Sequence, residues 1–258
     1  MLPRTFFLVF LSGMACFLVS AQNPNRQSTA SNNVPAATQP PRPNLTPEQR
    51  GDLFMVRKMY REAVEVFRQA PESPAIWNKM GIAYHQMQQL DDARKCYLKA
   101  VRLDPKFADG LNNVGTVYYA KKSYRRAIGY YERALKLTPN SATMYSNLGT
   151  AYFARKQYKQ ASEFYQKALE LDPQVFESRN TYGELLQDRN VQERAKFHYY
   201  LAKTYAKAGM NDRALEYLRK ALEEGFRDKN KLKEDPEFNA MRDLPEFQEL
   251  LNLEPRVL

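Results

Sequence analysis

The chain has 258 residues and carries 39 Lys and Arg against 29 Asp and Glu, a formal net charge of +10. Two Cys and two His are too few for a disulfide framework or a convincing metal cluster. The basic excess could serve an acidic partner or an anionic surface. No aromatic stacking platform is interleaved with the lysines, which, together with the export signal described next, argues against nucleic acid.

Met1 to Ala21 reads as a secretory signal peptide: Arg4 gives a positive start, Phe6 to Val19 is almost wholly apolar, and Val19-Ser20-Ala21 ends in small residues. Cleavage is predicted after Ala21. The run is short for a spanning helix and has no basic flank after it. Gly13-Met14-Ala15-Cys16 is a partial lipobox without the usual Leu, so lipidation at Cys16 is the alternative. Loss of Arg4 and Cys16 would leave a charge of about +9 and Cys96 as the one thiol, with no internal disulfide. A periplasmic or secreted protein is expected. Residues 22–44 are rich in Gln, Asn, Ser, Thr and Ala, with Pro24, Pro35, Pro40, Pro41 and Pro43 among them. They are predicted to form a disordered linker, and the N-terminal segment could associate peripherally with the envelope.

Order is predicted from Thr46-Pro47-Glu48-Gln49, a capping box with proline at the first helical position. Beyond it the chain becomes periodic. Gly81, Gly115 and Gly149 are 34 residues apart, as are Tyr84, Tyr118 and Tyr152, and Ala93, Ala127 and Ala161. Tyr97, Tyr131 and Tyr165 keep the register, with Ala100, Ala134 and Ala168, and Pro105, Pro139 and Pro173. Trp77, Met80, Gly81 and Tyr84 share one helical face, and Ala93, Tyr97 and Ala100 share one face of a second helix. Each period is therefore a helical hairpin that must stack on its neighbours to bury its apolar face.

These residues make the pattern of the tetratricopeptide repeat, and the chain resembles that family. The resemblance implies an all-α, right-handed superhelical solenoid of antiparallel helix pairs, whose first helices line a concave groove.

In this register 45–73 is a degenerate first repeat. Its columns Gly51, Phe54, Ala63, Phe67 and Ala70 stand 30 residues before those of the second, which marks a four-residue deletion near Pro71 to Pro74. Arg50 and Pro47 replace Met80 and Trp77, and a terminal repeat is expected to turn a polar face to water. Repeats two to four occupy 74–107, 108–141 and 142–173. Residues 174–194 are an insertion with an amphipathic segment around Phe176, Tyr182, Leu185 and Leu186, ended at Arg189-Asn190 by a break before a long helix to Ala208. The fifth repeat, 195–228, follows the fourth at a spacing of 53, with Leu201-Ala202, Tyr205, Ala214, Leu218 and Ala221 in the columns. Residues 229–258 give two short capping helices, each opened by an acidic cap and a proline. There Phe238, Met241, Phe247 and Leu251 are expected to cover the last repeat.

No nucleophile paired with a base, metal cluster or phosphate-binding glycine loop is recognisable, so an enzyme is not expected and no cofactor is implied. His198 stands in the Trp77 column and is expected in the core, and Cys96 is expected to be half-buried. Binding of a protein segment is what the resemblance offers. Its groove positions are Asn78, Lys79 and His85, then Asp109, Asn112, Asn113, Thr116 and Tyr119. They continue with Ser146, Asn147, Thr150 and Phe153, and end with Tyr199, Tyr200, Lys203 and Lys207. Asn78, His85, Asn112, Asn113, Tyr119, Asn147, Phe153, Tyr199 and Lys203 are the candidate contacts for an extended peptide. A side-chain amide there can donate and accept at once. Thr143 and Asn147 occupy places where chaperone-binding relatives need a lysine and an arginine, so the clamp for an acidic chaperone tail is not expected. Lys121, Lys122, Arg125 and Arg126 at one turn, and Arg155, Lys156 and Lys159 at the next, form a basic edge. The alternative function is an envelope assembly factor resembling a pilotin of type IV pili.

Overall fold

The computed structural model describes residues 44–177 and 190–253, so the leader, all of the linker but its last residue, and the centre of the insertion lie outside the described residues. Order begins at the capping box: Gln49 N–H donates to Thr46 Oγ1 at 3.2 Å, and Thr46 N–H donates to Gln49 Oε1 at 3.0 Å. Five hairpins follow. They are α1 (Pro47–Val56) with α2 (Tyr60–Phe67), α3 (Pro74–Gln86) with α4 (Leu90–Leu103), and α5 (Ala108–Ala120) with α6 (Tyr124–Leu137). Next come α7 (Ala142–Ala154) with α8 (Tyr158–Leu171), and α9 (Val191–Lys207) with α10 (Asn211–Glu223). Each helix packs chiefly on its hairpin partner, and each second helix packs on the first helix of the next pair. The chain is thus an all-α solenoid.

What sets the distance between paired helices is a glycine. A Cβ on Gly115 or Gly149 would fall 2.6 Å from the ring of Tyr131 or Tyr165, and one on Gly51 or Gly81 closer still to Phe67 or Tyr97. Only a hydrogen fits between helix and ring. In the fifth repeat Ala202 takes the glycine column and Leu218 the ring column, both fully buried. One extra methyl on the first helix is matched by a smaller partner on the second.

The turns repeat as faithfully as the helices. Lys58, Gln88, Lys122, Lys156 and Gly209 all have positive φ, at 58°, 60°, 57°, 61° and 75°. In each, the following N–H bonds back to the sixth residue, as Ser123 does to the Tyr118 carbonyl at 2.8 Å and Met210 to that of Tyr205 at 2.9 Å. This closes the first helix as a Schellman motif.

The irregularities come at the deletion, the insertion and the ends. Helix α2 has 8 residues where α4, α6 and α8 have 14. After α8, Phe176 is buried with its ring edge-on to Tyr165 and Tyr205, centroids 5.4 and 6.3 Å away, so the described start of the insertion packs between repeats four and five. Asn190 then caps α9, its side chain accepting from Glu193 N–H at 2.8 Å. The first repeat is less polar outside than expected, because Leu53 and Met59 are exposed and Val56 is 82% exposed.

The C-terminal segment forms α11 (Lys229–Glu234), a 3-10 turn (Pro236–Met241) and α12 (Pro245–Asn252). Leu232, Phe238, Met241, Phe247 and Leu250 are buried, so Leu250 takes the deep position expected of Leu251, which is only partly buried. The acidic caps are also placed differently. Asp228 caps α11, whereas Asp235 turns its carboxylate to Lys203, 3.0 Å away, and α12 has no side-chain cap.

His198 is buried in α9, its Nδ1 2.7 Å from Glu224 Oε2, with Phe197 and Tyr217 against its ring. Arg194 also reaches Glu224, at 3.4 Å. Burial, helped by the charges of Lys220 and Arg194, pushes the imidazole down to about 4, so it is neutral at physiological pH. The unfolded chain's histidine protonates near pH 6.5, so this site's stability is complete above that pH and is lost as pH falls from 6.5 toward 4. Urea unfolding at pH 7 and pH 4.5 should show a smaller acid loss in His198→Gln than in the wild type.

The glycine contact makes a second prediction. Gly149→Ala should destabilise by roughly 1–3 kcal/mol through overpacking, and adding Tyr165→Leu should cost less than the two single changes summed. Additive losses in thermal unfolding would mean that the ring does not set the helix spacing.

Candidate peptide-binding groove

The face lined by α3, α5 and α7 encloses a groove of about 580 Å³. Along its floor runs a chain of side-chain amides. Asn147 Nδ2 donates to Asn112 Oδ1 at 3.0 Å, Asn112 Nδ2 to Asn113 Oδ1 at 3.3 Å, and Asn113 Nδ2 to Asn78 Oδ1 at 2.8 Å. Three repeats are joined by this ladder. It exists because asparagines in two adjacent columns face the same interhelix seam once the repeats stack.

Beneath the ladder the buried tyrosines reach the groove through threonine. Tyr131 donates to Thr116 Oγ1 at 3.4 Å and Tyr165 to Thr150 Oγ1 at 3.3 Å. Thr116 and Thr150 in turn donate to the carbonyls of Asn112 and Ser146, at 3.2 and 2.8 Å. Burial raises the Tyr131 phenol well above its ordinary range, so it stays a protonated donor. The same rings that fit the glycines therefore also hold up the groove floor.

Toward α9 the groove turns aromatic and basic. Tyr158 stacks on Tyr200 at 4.7 Å, and Lys196 Nζ lies 4.1 Å from the centre of the Tyr158 ring. Lys122 and Lys156, both at the positive-φ turn position, line the cavity with Lys196, against one carboxylate, Glu193. Glu193 and Lys196 belong to the first turns of α9, next to the insertion.

Of the expected contacts, His85, Asn112, Asn113, Tyr119, Asn147 and Phe153 line this cavity, and Asn78 joins it through the ladder. Asn147 and Phe153 form floor more than rim, each 4% exposed, and Phe153 packs edge-on against Tyr158, Phe197 and Tyr200. Tyr199 and Lys203 are elsewhere. Tyr199 is 2% exposed and stacks on Phe226, centroids 4.3 Å apart, with Phe238 beyond. Lys203 is held by Asp235 at 3.0 Å and Glu237 at 3.3 Å. Phe226 at the end of the fifth repeat and the C-terminal segment cover both, so the groove ends at the start of α9.

Lys122, Tyr124, Lys156, Tyr158, Glu193 and Lys196 also line the cavity, from the turns after α5 and α7 and the first turns of α6, α8 and α9, outside the expected contacts. The recurring turn was the available signal, since Lys122 and Lys156 are one column of it. Part of the basic edge is already paired, with Lys121 bonded to Asp91 of the preceding repeat. Among the described residues no three His, Cys, Asp or Glu side chains are grouped as a metal ion would require, and no helix is long and apolar enough to cross a membrane.

Family models of this architecture match most of the array: a tetratricopeptide repeat model over residues 106–174, a TPR repeat model over 81–122 and a second tetratricopeptide repeat model over 177–228. The chain belongs to the tetratricopeptide repeat family. Among solved structures, the APC/C hetero-tetramer Cut9–Hcn1 is similar at 17% identity over 80% of this chain and 35% of that one, with a TM-score of 0.50. MamA from Desulfovibrio magneticus RS-1 is similar at 23% identity over 69% of this chain and 92% of that chain, TM-score 0.48. The first TPR of Spaghetti (RPAP3), solved with the HSP90 peptide SRMEEVD, shares 27% identity over 45% of this chain and 91% of its own, TM-score 0.40. No curated protein matches. As a tetratricopeptide repeat protein, the chain is a scaffold for protein–protein interaction.

Proposed function

We propose that this tetratricopeptide repeat protein is a non-catalytic adaptor that holds an extended segment of a protein partner along the groove from α3 to the start of α9. The observation that carries this reading is the ladder from Asn78 to Asn147. Each amide has two N–H groups, and the ladder engages one on Asn113, a half-buried side chain of the cavity wall, leaving its second for a peptide carbonyl. Because the ladder already fixes this side chain, little rotamer freedom is lost on binding. Lys122, Lys156 and Lys196 favour a segment carrying acidic residues and give its capture a salt dependence. Catalysis is not part of the reading: the Cys96 thiol is buried and pushed up to about 11, far from a reactive thiolate.

Panning a random-peptide library on the purified protein tests this. Enriched peptides should be acidic and should bind roughly tenfold more weakly to Asn113→Ala and to Lys156→Glu, the scale of one lost hydrogen bond to a charged or polar group. Phe153 is left intact because its loss would damage the core. A library without enrichment, or equal affinity for both variants, would rule the groove out.

The positive start, apolar run and small-residue end of Met1–Ala21 support an exported adaptor in a periplasmic or secreted setting. Sequencing the N-terminus of the protein recovered from the producing cell should give Gln22. A mature chain retaining Cys16 would overturn that placement of the cleavage site.

A further inference from the structure

The deletion in the first repeat leaves more than a short helix. Helix α2 stops at Phe67, the column of Tyr97, whereas α4 runs six residues further, to Leu103. At 1.5 Å per residue, about 9 Å of second helix is missing. The chain instead turns through residues 68–73 straight into α3. The space that a full-length α2 would fill beside α4 is open as a cavity of about 710 Å³. It shares no residue with the peptide groove and uses another face of α3, with Trp77, Met80 and Tyr84 in place of Ile82 and His85.

Its walls are of two kinds. Phe67, Ile76, Trp77, Met80, Tyr84 and Cys96 make an apolar, largely aromatic bowl. Trp77 is held in place from both sides, its Nε1–H donating to Glu72 at 2.9 Å and Lys99 Nζ lying 5.8 Å from its ring centre. The rim is charged and carries four cations, Arg68, Lys95, Lys99 and Arg102, against two carboxylates, Glu72 and Asp92. Three of the cations are already matched: Arg68 with Glu65 at 3.0 Å, Lys95 with Asp92 at 2.9 Å, and Lys99 with Glu72 at 3.0 Å. Arg102 has no carboxylate partner among the described residues, and its Nε reaches only the Leu98 carbonyl, at 3.4 Å.

We propose that this bowl binds a small amphiphilic carboxylate, its apolar body against Trp77 and Tyr84 and its carboxylate paired with Arg102 beside Lys99. The cavity has the size of small-ligand sites, and an unmatched guanidinium at the edge of an apolar bowl suits a two-oxygen anion, which it can grip through two parallel N–H bonds. The site stands independently of the peptide groove, since a full-length α2 would abolish it without touching Asn113.

Trp77 is the one tryptophan of the chain, so its emission reports on the bowl directly. Laurate, used below its micelle concentration as the probe, should shift Trp77 emission to the blue and protect it from acrylamide. Dodecyltrimethylammonium, of equal chain length and opposite charge, should bind roughly tenfold more weakly, and so should laurate to Arg102→Glu, the loss expected for one charge-assisted pair. Arg102 is exposed, so that variant should melt with the wild type. Ala70→Phe, which narrows the bowl, should remove the response, and Lys156→Glu in the peptide groove should leave it unchanged. No response of Trp77 to laurate would overturn the proposal, as would equal binding of the cationic probe or of laurate to Arg102→Glu.

Discussion

The contact on which the array depends lies inside each hairpin, where the bare Cα of a glycine on the first helix meets an aromatic ring on the second. Gly51 with Phe67, Gly81 with Tyr97, Gly115 with Tyr131 and Gly149 with Tyr165 repeat it, and Ala202 with Leu218 solves the same volume problem another way. Because a close-packed interior responds to a single methyl group, this pair sets the separation of the helices, and the separation sets how each hairpin seats on the next. The tyrosines also carry a hydroxyl. In the third and fourth repeats it passes beneath the first helix to a threonine on the groove floor, so packing and groove chemistry come from one side chain.

Regular stacking alone would give an open trough. Its limits come from departures from the repeat. The C-terminal segment folds back over α9, setting Phe238 beside Tyr199 and pairing Lys203 with Asp235 and Glu237. Residues beside the insertion contribute Glu193 and Lys196 to the wall. The deletion shortens α2 and opens a second cavity on another face. Each departure changes what surface is offered while the turn geometry persists in all five repeats and the glycine contact in the first four.

The turns show how a local conformation becomes a surface property. A positive φ at the fourth residue after Phe54, Tyr84, Tyr118, Tyr152 and Tyr205 ends every first helix in the same way. Lysine occupies that position at 58, 122 and 156 despite the strain a side chain brings there. Two of these lysines, Lys122 and Lys156, thereby stand in the groove wall, where residues counted along a helix face would not reach.

Much of this was legible in the chain because it depends on near neighbours. The spacings of 30, 34 and 53, the capping box at Thr46 and the Gly–Tyr columns follow from helical periodicity and from the sterics of a closed hairpin, and the positive-φ turns recur at the same offsets. Phe238, Met241 and Phe247 could likewise be read as a cover for the last repeat, although Leu250 and not Leu251 completes it. Membership of Asn112, Asn113 and Asn147 in the groove was legible from the columns; their bonding to one another was not, because it needs the lateral offset between stacked helices. Tyr199 and Lys203 sit at positions no different in local pattern from open ones. The repeat, its register and the hairpin are written in local spacing, since these are set within a few turns of helix. Which groove positions stay open is settled in three dimensions, because a cover arriving from 27 to 39 residues away along the chain leaves no mark on the spacing of the residues it buries.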